Sequence, residues 1–157
     1  DEAGNIWFGL LEDEKGGVNK FDGETFTFYG KAQGLGSRDV TAVTQDKNKN
    51  FWFGSWGAGI TKFEPKANRG KGKFTHFKKG LGLSNDKVRP ISVDKNGTIW
   101  IGTIGGGVNK YEEGKDGKPA TFTHYSKQNG LGRTTDSQQS GLKSEHSRQL
   151  WRALGYC

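Results

Sequence analysis

The chain has 157 residues with 26 glycines, 31% hydrophobic and 12% aromatic residues and a formal net charge of +7. This mixture suits short aromatic strands joined by tight glycine turns, and it excludes both a helical protein and a disordered one. The single cysteine, Cys157, excludes an intrachain disulfide and a cysteine metal site, and no apolar run approaches the roughly 20 residues that span a bilayer.

Residues 1–30 predict three strands, near 5–10, 17–21 and 25–29, with Asp22-Gly23 as the hairpin signal before the third. A loop at 30–38 containing Gly34-Leu35-Gly36 leads to the inner strand that the first unit lacks, Val40-Thr41-Ala42-Val43-Thr44. Strands near 51–55, 59–64 and 73–78 follow, the last two separated by an exposed turn with Pro65 and a glycine-rich tract. The third unit repeats the order with an inner strand at 88–93, the primed-turn pair Asn96-Gly97, and strands near 98–103, 107–111 and 121–125.

Three copies of one motif set this spacing. Asn5-Ile6-Trp7-Phe8-Gly9, Phe51-Trp52-Phe53-Gly54 and Thr98-Ile99-Trp100-Ile101-Gly102 each lead through glycines to an apolar strand. Their tryptophans stand 45 and 48 residues apart, which matches the roughly 40–50 residues of one four-stranded propeller blade. Asp1, Asp46 and Asp94 each stand six positions before a repeat tryptophan, so the chain opens inside a repeat and reads as a piece of a longer protein. In the second strand of each unit both faces are apolar, as with Ile99 and Ile101 on one side and Trp100 on the other. Such a strand must be covered from both sides, which stacked blades achieve and an open sheet does not. Pro90 cannot donate a ladder hydrogen bond, which puts its strand at the blade edge lining the central channel.

The expected fold is therefore all-β: an incomplete propeller of about three four-stranded antiparallel blades spanning 1–132, with 1–30 lacking its inner strand and 39–79 and 87–126 complete. From about Arg133 the pattern fades. Leu142, Glu145 and Trp151 echo a fourth copy, but Ala153 takes the place of the glycine, so 133–157 is read as a degenerate or disordered tail.

The stretch Gly97-Thr98-Ile99-Trp100-Ile101-Gly102-Thr103, its following glycine run, the upstream Asp94 and Gly80-Leu81-Gly82-Leu83-Ser84-Asn85-Asp86 resemble the two-component regulator propeller repeat. The resemblance covers residues 1–132 in three copies. It implies the extracytoplasmic sensor region of a bacterial hybrid histidine kinase or related regulator, hence a periplasmic or extracytoplasmic location, and many such proteins respond to polysaccharide breakdown products. No transmembrane helix, kinase or DNA-binding part accompanies it, so signalling output is not expected in this chain.

Ligands of propellers sit over the central channel, against the loops from outer to next inner strand and from second to third strand. Here these loops carry Arg38, Asp39, Asn85, Asp86, Arg89 and Trp56. A ring beside Asp, Asn and Arg offers a sugar a stacking face and paired polar partners. The plainer alternative is that Asp39, Asn85 and Asp86 satisfy turn backbone groups. Trp56 is the leading candidate, because the third unit has Ile104 in its place and no core pattern demands a ring there.

Trp7, Trp52 and Trp100 are expected in the core, and the glycines after them in turns or at close approaches. His76 and His124 recur 48 residues apart, on different outer edges, which favours surface packing over a metal pair. No catalytic triad or carboxylate pair stands out, so no enzyme, cofactor or metal is expected. Lys47, Lys49, Lys66, Lys71, Lys73, Lys78 and Lys79 fall in turns and outer strands, where lysine opposes edge pairing. They are interleaved with Asp and Glu, so neither a nucleic-acid partner nor membrane contact is expected of this piece.

The leading reading is a non-catalytic ligand-sensing propeller fragment that binds an oligosaccharide or similar solute. The alternative is a protein-interaction or dimerisation scaffold, whose partners are the remaining blades or other copies of the chain. A propeller lyase is the poorer third, since no catalytic His or Glu facing the channel is identifiable.

Overall fold

The computed structural model describes residues 1–11, 16–114 and 118–132. Leu142, Glu145, Trp151 and the tail expected at 133–157 lie outside the described residues. Among the described residues the chain forms three antiparallel sheets of three, four and four strands and no α-helix.

The first sheet holds β1 (Ile6–Leu10), β2 (Gly17–Phe21) and β3 (Phe26–Tyr29). The second holds β4 (Val40–Gln45), β5 (Phe51–Ser55), β6 (Ile60–Glu64) and β7 (Lys73–Phe77). The third holds β8 (Val88–Val93), β9 (Ile99–Thr103), β10 (Gly107–Glu112) and β11 (Thr121–Tyr125). Each sheet is a simple meander in chain order, with Trp7, Trp52 and Trp100 opposite Lys20, Lys62 and Lys110. Both inner strands, β4 and β8, are sheet edges and carry a register shift near their start, between Val40 and Ala42 and between Val88 and Ile91. Pro90 lies within the second shift, where its missing N–H breaks no ladder.

The sheets stack face to face as successive blades of a β-propeller. The Trp7 ring lies 3.9 Å from that of Phe51 across the first seam, and Trp52 meets Tyr111 edge-on at 4.7 Å across the second. The five residues of β5 are all buried because the second sheet alone has described sheets on both faces. Trp52 is 1% exposed, whereas Trp7 and Trp100 are half-buried. Trp100 packs against Tyr125 of its own sheet with the rings tilted by 42°, on a face with no described sheet beyond it.

Glycine sets how closely the blades approach. A Cβ on Gly9 would stand 2.8 Å from Val40 Cγ1, and one on Gly54 2.7 Å from Val88 Cγ1. In each case the first residue of the next inner strand fills the hole the glycine leaves. These two glycines serve close approach, not turn geometry.

The connecting segments are less loop-like than their glycines suggest. Single 3-10 turns at Lys31–Gln33, Lys79–Leu81 and Lys127–Asn129 recur at one interval, and each ends on a glycine, Gly34, Gly82 or Gly130, with positive φ of 109°, 103° or 84°. That left-handed step aims the next residue inward, so Leu35 and Leu83 are 4% and 1% exposed in the two seams.

Candidate functional site

The propeller geometry gathers the candidate residues at one end of the second and third sheets, where β5 leaves its sheet. The Trp56 N–H donates to the Asp39 carbonyl at 3.0 Å, and Ile104 makes the matching bond to Lys87 at 2.9 Å. Trp56 and Lys87 form an isolated antiparallel bridge, so residue 56 straddles the two sheets. The residue is 42% exposed and not part of either core. Lys87 Nζ lies 5.3 Å and Arg89 Cζ 5.4 Å from the ring centroid, so two cations of the third sheet flank an aromatic face of the second. Contacts of this kind contribute about 0.5–1 kcal/mol each when exposed, enough to orient the ring.

The polar candidates divide. The Asn85 carboxamide oxygen accepts from Lys87 N at 2.9 Å, closing its own turn. The Asp86 carboxylate accepts from Lys79 N at 2.7 Å, and the Asp86 carbonyl accepts from Gly57 N and Gly59 N at 3.0 and 2.9 Å. The Asn85 side chain thus closes the turn that carries Lys87, the Asp86 side chain ties in the turn at Lys79, and the Asp86 carbonyl holds the loop that carries Trp56. The Asp39 N–H donates to Ser37 Oγ at 3.2 Å, while the Arg38 carbonyl accepts from Val40 N at 3.1 Å. Trp56, Arg89 and, through its carbonyl, Asp39 are thus brought together, with Asn85 and Asp86 as their supports.

Sequence reasoning passed over Lys87 as a partner of the ring. Its signal was the alternation of Lys87 and Arg89 at the start of an inner strand, which puts both on one face. The arrangement offers an exposed aromatic residue and two cations, chemistry suited to stacking and to binding hydroxyl or acidic groups.

His76 and His124 serve the fold. His76 Nδ1 lies 3.1 Å from Thr61 Oγ1, which also accepts from Gly36 N, and burial followed by Lys78 pushes its pKa down. His124 Nε2 contacts the Gly82 carbonyl at 2.6 Å. Each braces the connecting segment that enters its own sheet, on separate outer strands. No group of three or more metal-ligating side chains occurs among the described residues.

A groove of about 500 Å³ lies at the other end of β5, lined by Trp7, Lys20, Phe51, Phe63, Lys66 and Phe74 among others. It is separate from the Trp56 cluster.

Residues 34–57 and 82–105 match the family model of the two component regulator propeller. A comparison with curated proteins gave no match. Among solved structures, the extracellular domain of BT3049, assigned to a hybrid two component system of B. thetaiotaomicron, is similar at a TM-score of 0.61 and 26% identity. The likeness covers 83% of this chain and 16% of that one. The extracellular domain of BT4673, assigned to a hybrid two component system of the same organism, is similar at a TM-score of 0.60 and 19% identity over 81% of this chain and 17% of that one, a likeness of fold. The chain therefore spans about a sixth of the length of these solved structures. The two matched segments each run from a connecting glycine through an inner strand and the tryptophan strand to the following turn, so these two segments of the chain are similar to repeats of the two component regulator propeller kind.

Proposed function

We propose that this chain is a non-catalytic, ligand-sensing piece of an extracytoplasmic two-component sensor, and that its Trp56 end binds an oligosaccharide or similar solute. The observation that carries the reading is Trp56 itself, 42% exposed and with its ring flanked by Lys87 and Arg89 where the third repeat has Ile104. An exposed ring held by two neighbouring cations costs little further order on stacking against a sugar face. Support for the sensing role comes from the matched repeats and from the extracellular two-component domains that share the fold. No helix among the described residues is long and apolar enough to cross a membrane.

Titration calorimetry of the chain, and of the parent sensor that contains it, against neutral and acidic oligosaccharides tests the proposal. Saturable heat that Trp56→Ala weakens at least tenfold is expected. A panel with no saturable binding to either protein sinks it.

A second reading rests on a different observation. Ile6 and Phe8 of β1 are 53% and 41% exposed on the face that β5 and β9 bury with Phe51, Phe53, Ile99 and Ile101. This face fits a further blade, from the remainder of the parent or from a second copy. Association that Trp56→Ala leaves unchanged would favour this scaffold role.

A further inference from the structure

We infer that the groove between the first and second sheets is a second binding site, for a small organic carboxylate with a planar ring. The inference comes from comparing the two seams. Across the second seam Lys62, opposite Trp52 in the ladder, is 3% exposed and lies 5.6 Å over the Trp52 ring. Its ammonium is neutralised from the next sheet, by Glu113 at 2.5 Å, and from its own strand, by Glu64 at 3.6 Å. A lysine this deep requires such partners, because an uncompensated buried charge is strongly unfavourable.

The first seam repeats the lysine but not the acid. Lys20 stands opposite Trp7 as Lys62 stands opposite Trp52. The residue of the second sheet that corresponds to Glu113 is Pro65, one position after the end of β6 as Glu113 is one position after β10. Here the seam opens into the groove of about 500 Å³, a volume suited to a small ligand. Its aromatic wall contains Trp7, Phe51, Phe63 and Phe74, with Phe63 and Phe74 stacked at 4.5 Å.

The charge of the groove is one-sided. Lys20, Lys66 and Lys71 line it and form no ion pair among the described residues, whereas the fourth lysine, Lys49, pairs with Glu2. The only acid among the lining residues, Asp1, has its carboxylate engaged by Trp7 Nε1 at 2.8 Å and by Asn5. Asp22, whose carboxyl Lys20 helps to keep ionised, is committed to its own turn through Glu24 and Thr25. A ligand carboxylate on Lys20 takes the place that Glu113 takes on Lys62, and its ring lies against the aromatic wall.

Saturation-transfer and titration NMR of the chain with benzoate, 4-hydroxyphenylacetate and indole-3-acetate tests this, with the matching alcohols as neutral controls. The acids are expected to bind and to shift the Trp7 indole N–H signal, and the alcohols to bind at least tenfold more weakly. Lys20→Gln is expected to weaken the acids at least tenfold. Pro65→Glu, which supplies the missing carboxylate from within, is expected to abolish binding and raise the melting temperature. Lys110→Gln, on the third sheet, controls for surface charge and is expected to change nothing. Absence of binding at millimolar acid overturns the inference, as does binding that both Lys20→Gln and Pro65→Glu leave intact in folded protein.

Discussion

Three aspartates do the same work in the three repeats. Asp46 accepts from Asn48 N and Asn50 N through one oxygen at 2.8 and 2.9 Å, and from Trp52 Nε1 through the other at 2.8 Å. Asp94 does the same for Asn96, Thr98 and Trp100, and Asp1 for Ala3, Asn5 and Trp7. One carboxylate therefore closes the hairpin turn and fixes the tryptophan that stacks in the seam. Burial opposes ionisation of Asp94, but the bonds from Trp100, Thr98 and Asn96 outweigh it and hold its carboxyl below the ordinary carboxylate value. Asp46→Ala would leave the buried Trp52 N–H and two turn amides without their acceptor, a loss of about 1–3 kcal/mol for an unsatisfied buried group. Urea melts of the two proteins check it, and a change below a few tenths of a kcal/mol would contradict this role. Asp22 gives the pH counterpart. Hydrogen bonds from Thr25 and then Glu24 lower its pKa from 3.8 to about 2. Because the folded value is depressed, the stabilisation is present above about pH 4 and is lost as pH falls through about 2. The Thr25 amide shift should titrate with a midpoint near 2, and a midpoint near 4 would show that the turn does not hold the carboxylate.

At the scale of elements, the sequence revealed what repeats and hid what depends on the neighbouring sheet. The strands could be placed from aromatic alternation, glycine turns and the spacing of the tryptophans, because each of those signals is local. Leu35 and Leu83 could not be placed in the core, since Gly34-Leu35-Gly36 reads as loop until the left-handed glycine turns the leucine inward. No local signal set Lys62 apart, and only the stacking of the third sheet reveals Glu113 above it. The candidate site followed the same division. Trp56 was visible because it breaks the repeat, while its pairing with Lys87 depends on the adjacent inner strand. Gly54 shows the energetic side of this coupling. Its φ is not positive, so its requirement is for space: an added Cβ would meet Val88 Cγ1 at 2.7 Å and Ala42 Cβ and Ile91 Cδ1 at 3.3 Å. Gly54→Val should destabilise by about 1–3 kcal/mol through overpacking of the seam. Gly57, at φ 103° with nothing within 4 Å of an added Cβ, is the comparison: Gly57→Ala should cost about 1–2 kcal/mol through its backbone alone. Thermal melts separate the two if hydrogen exchange of Val88 and Ile91 amides rises in the first variant and not in the second. Equal exchange in both would show that Gly54 does not set the blade spacing.

For the whole molecule, the decisive fact is which sheet faces are covered. The second sheet is buried on both faces and the first on one, so β5 is buried throughout while β1 leaves Ile6 and Phe8 in solvent. The exposed pair corresponds to Phe51 and Phe53, which Trp7 covers at ring distances of 3.9 and 6.3 Å. A face built to receive a tryptophan blade therefore stands open in this chain. Burying two such side chains contributes about 1.5–3 kcal/mol each, before the cost of association is subtracted. That is enough to drive contact at high concentration, because stacked repeats gain much of their stability from their neighbours. The chain should accordingly associate with rising concentration in sedimentation velocity, and Phe8→Lys should weaken that association by tenfold or more while leaving the second and third sheets folded. The charge acts directly on the open face and touches neither described seam, since both seams are formed by Trp7, Phe51, Trp52 and Tyr111. A chain that stays monomeric at all concentrations, with a single cooperative melt unchanged by Phe8→Lys, would show that three blades satisfy themselves and that the open face has no partner of this kind.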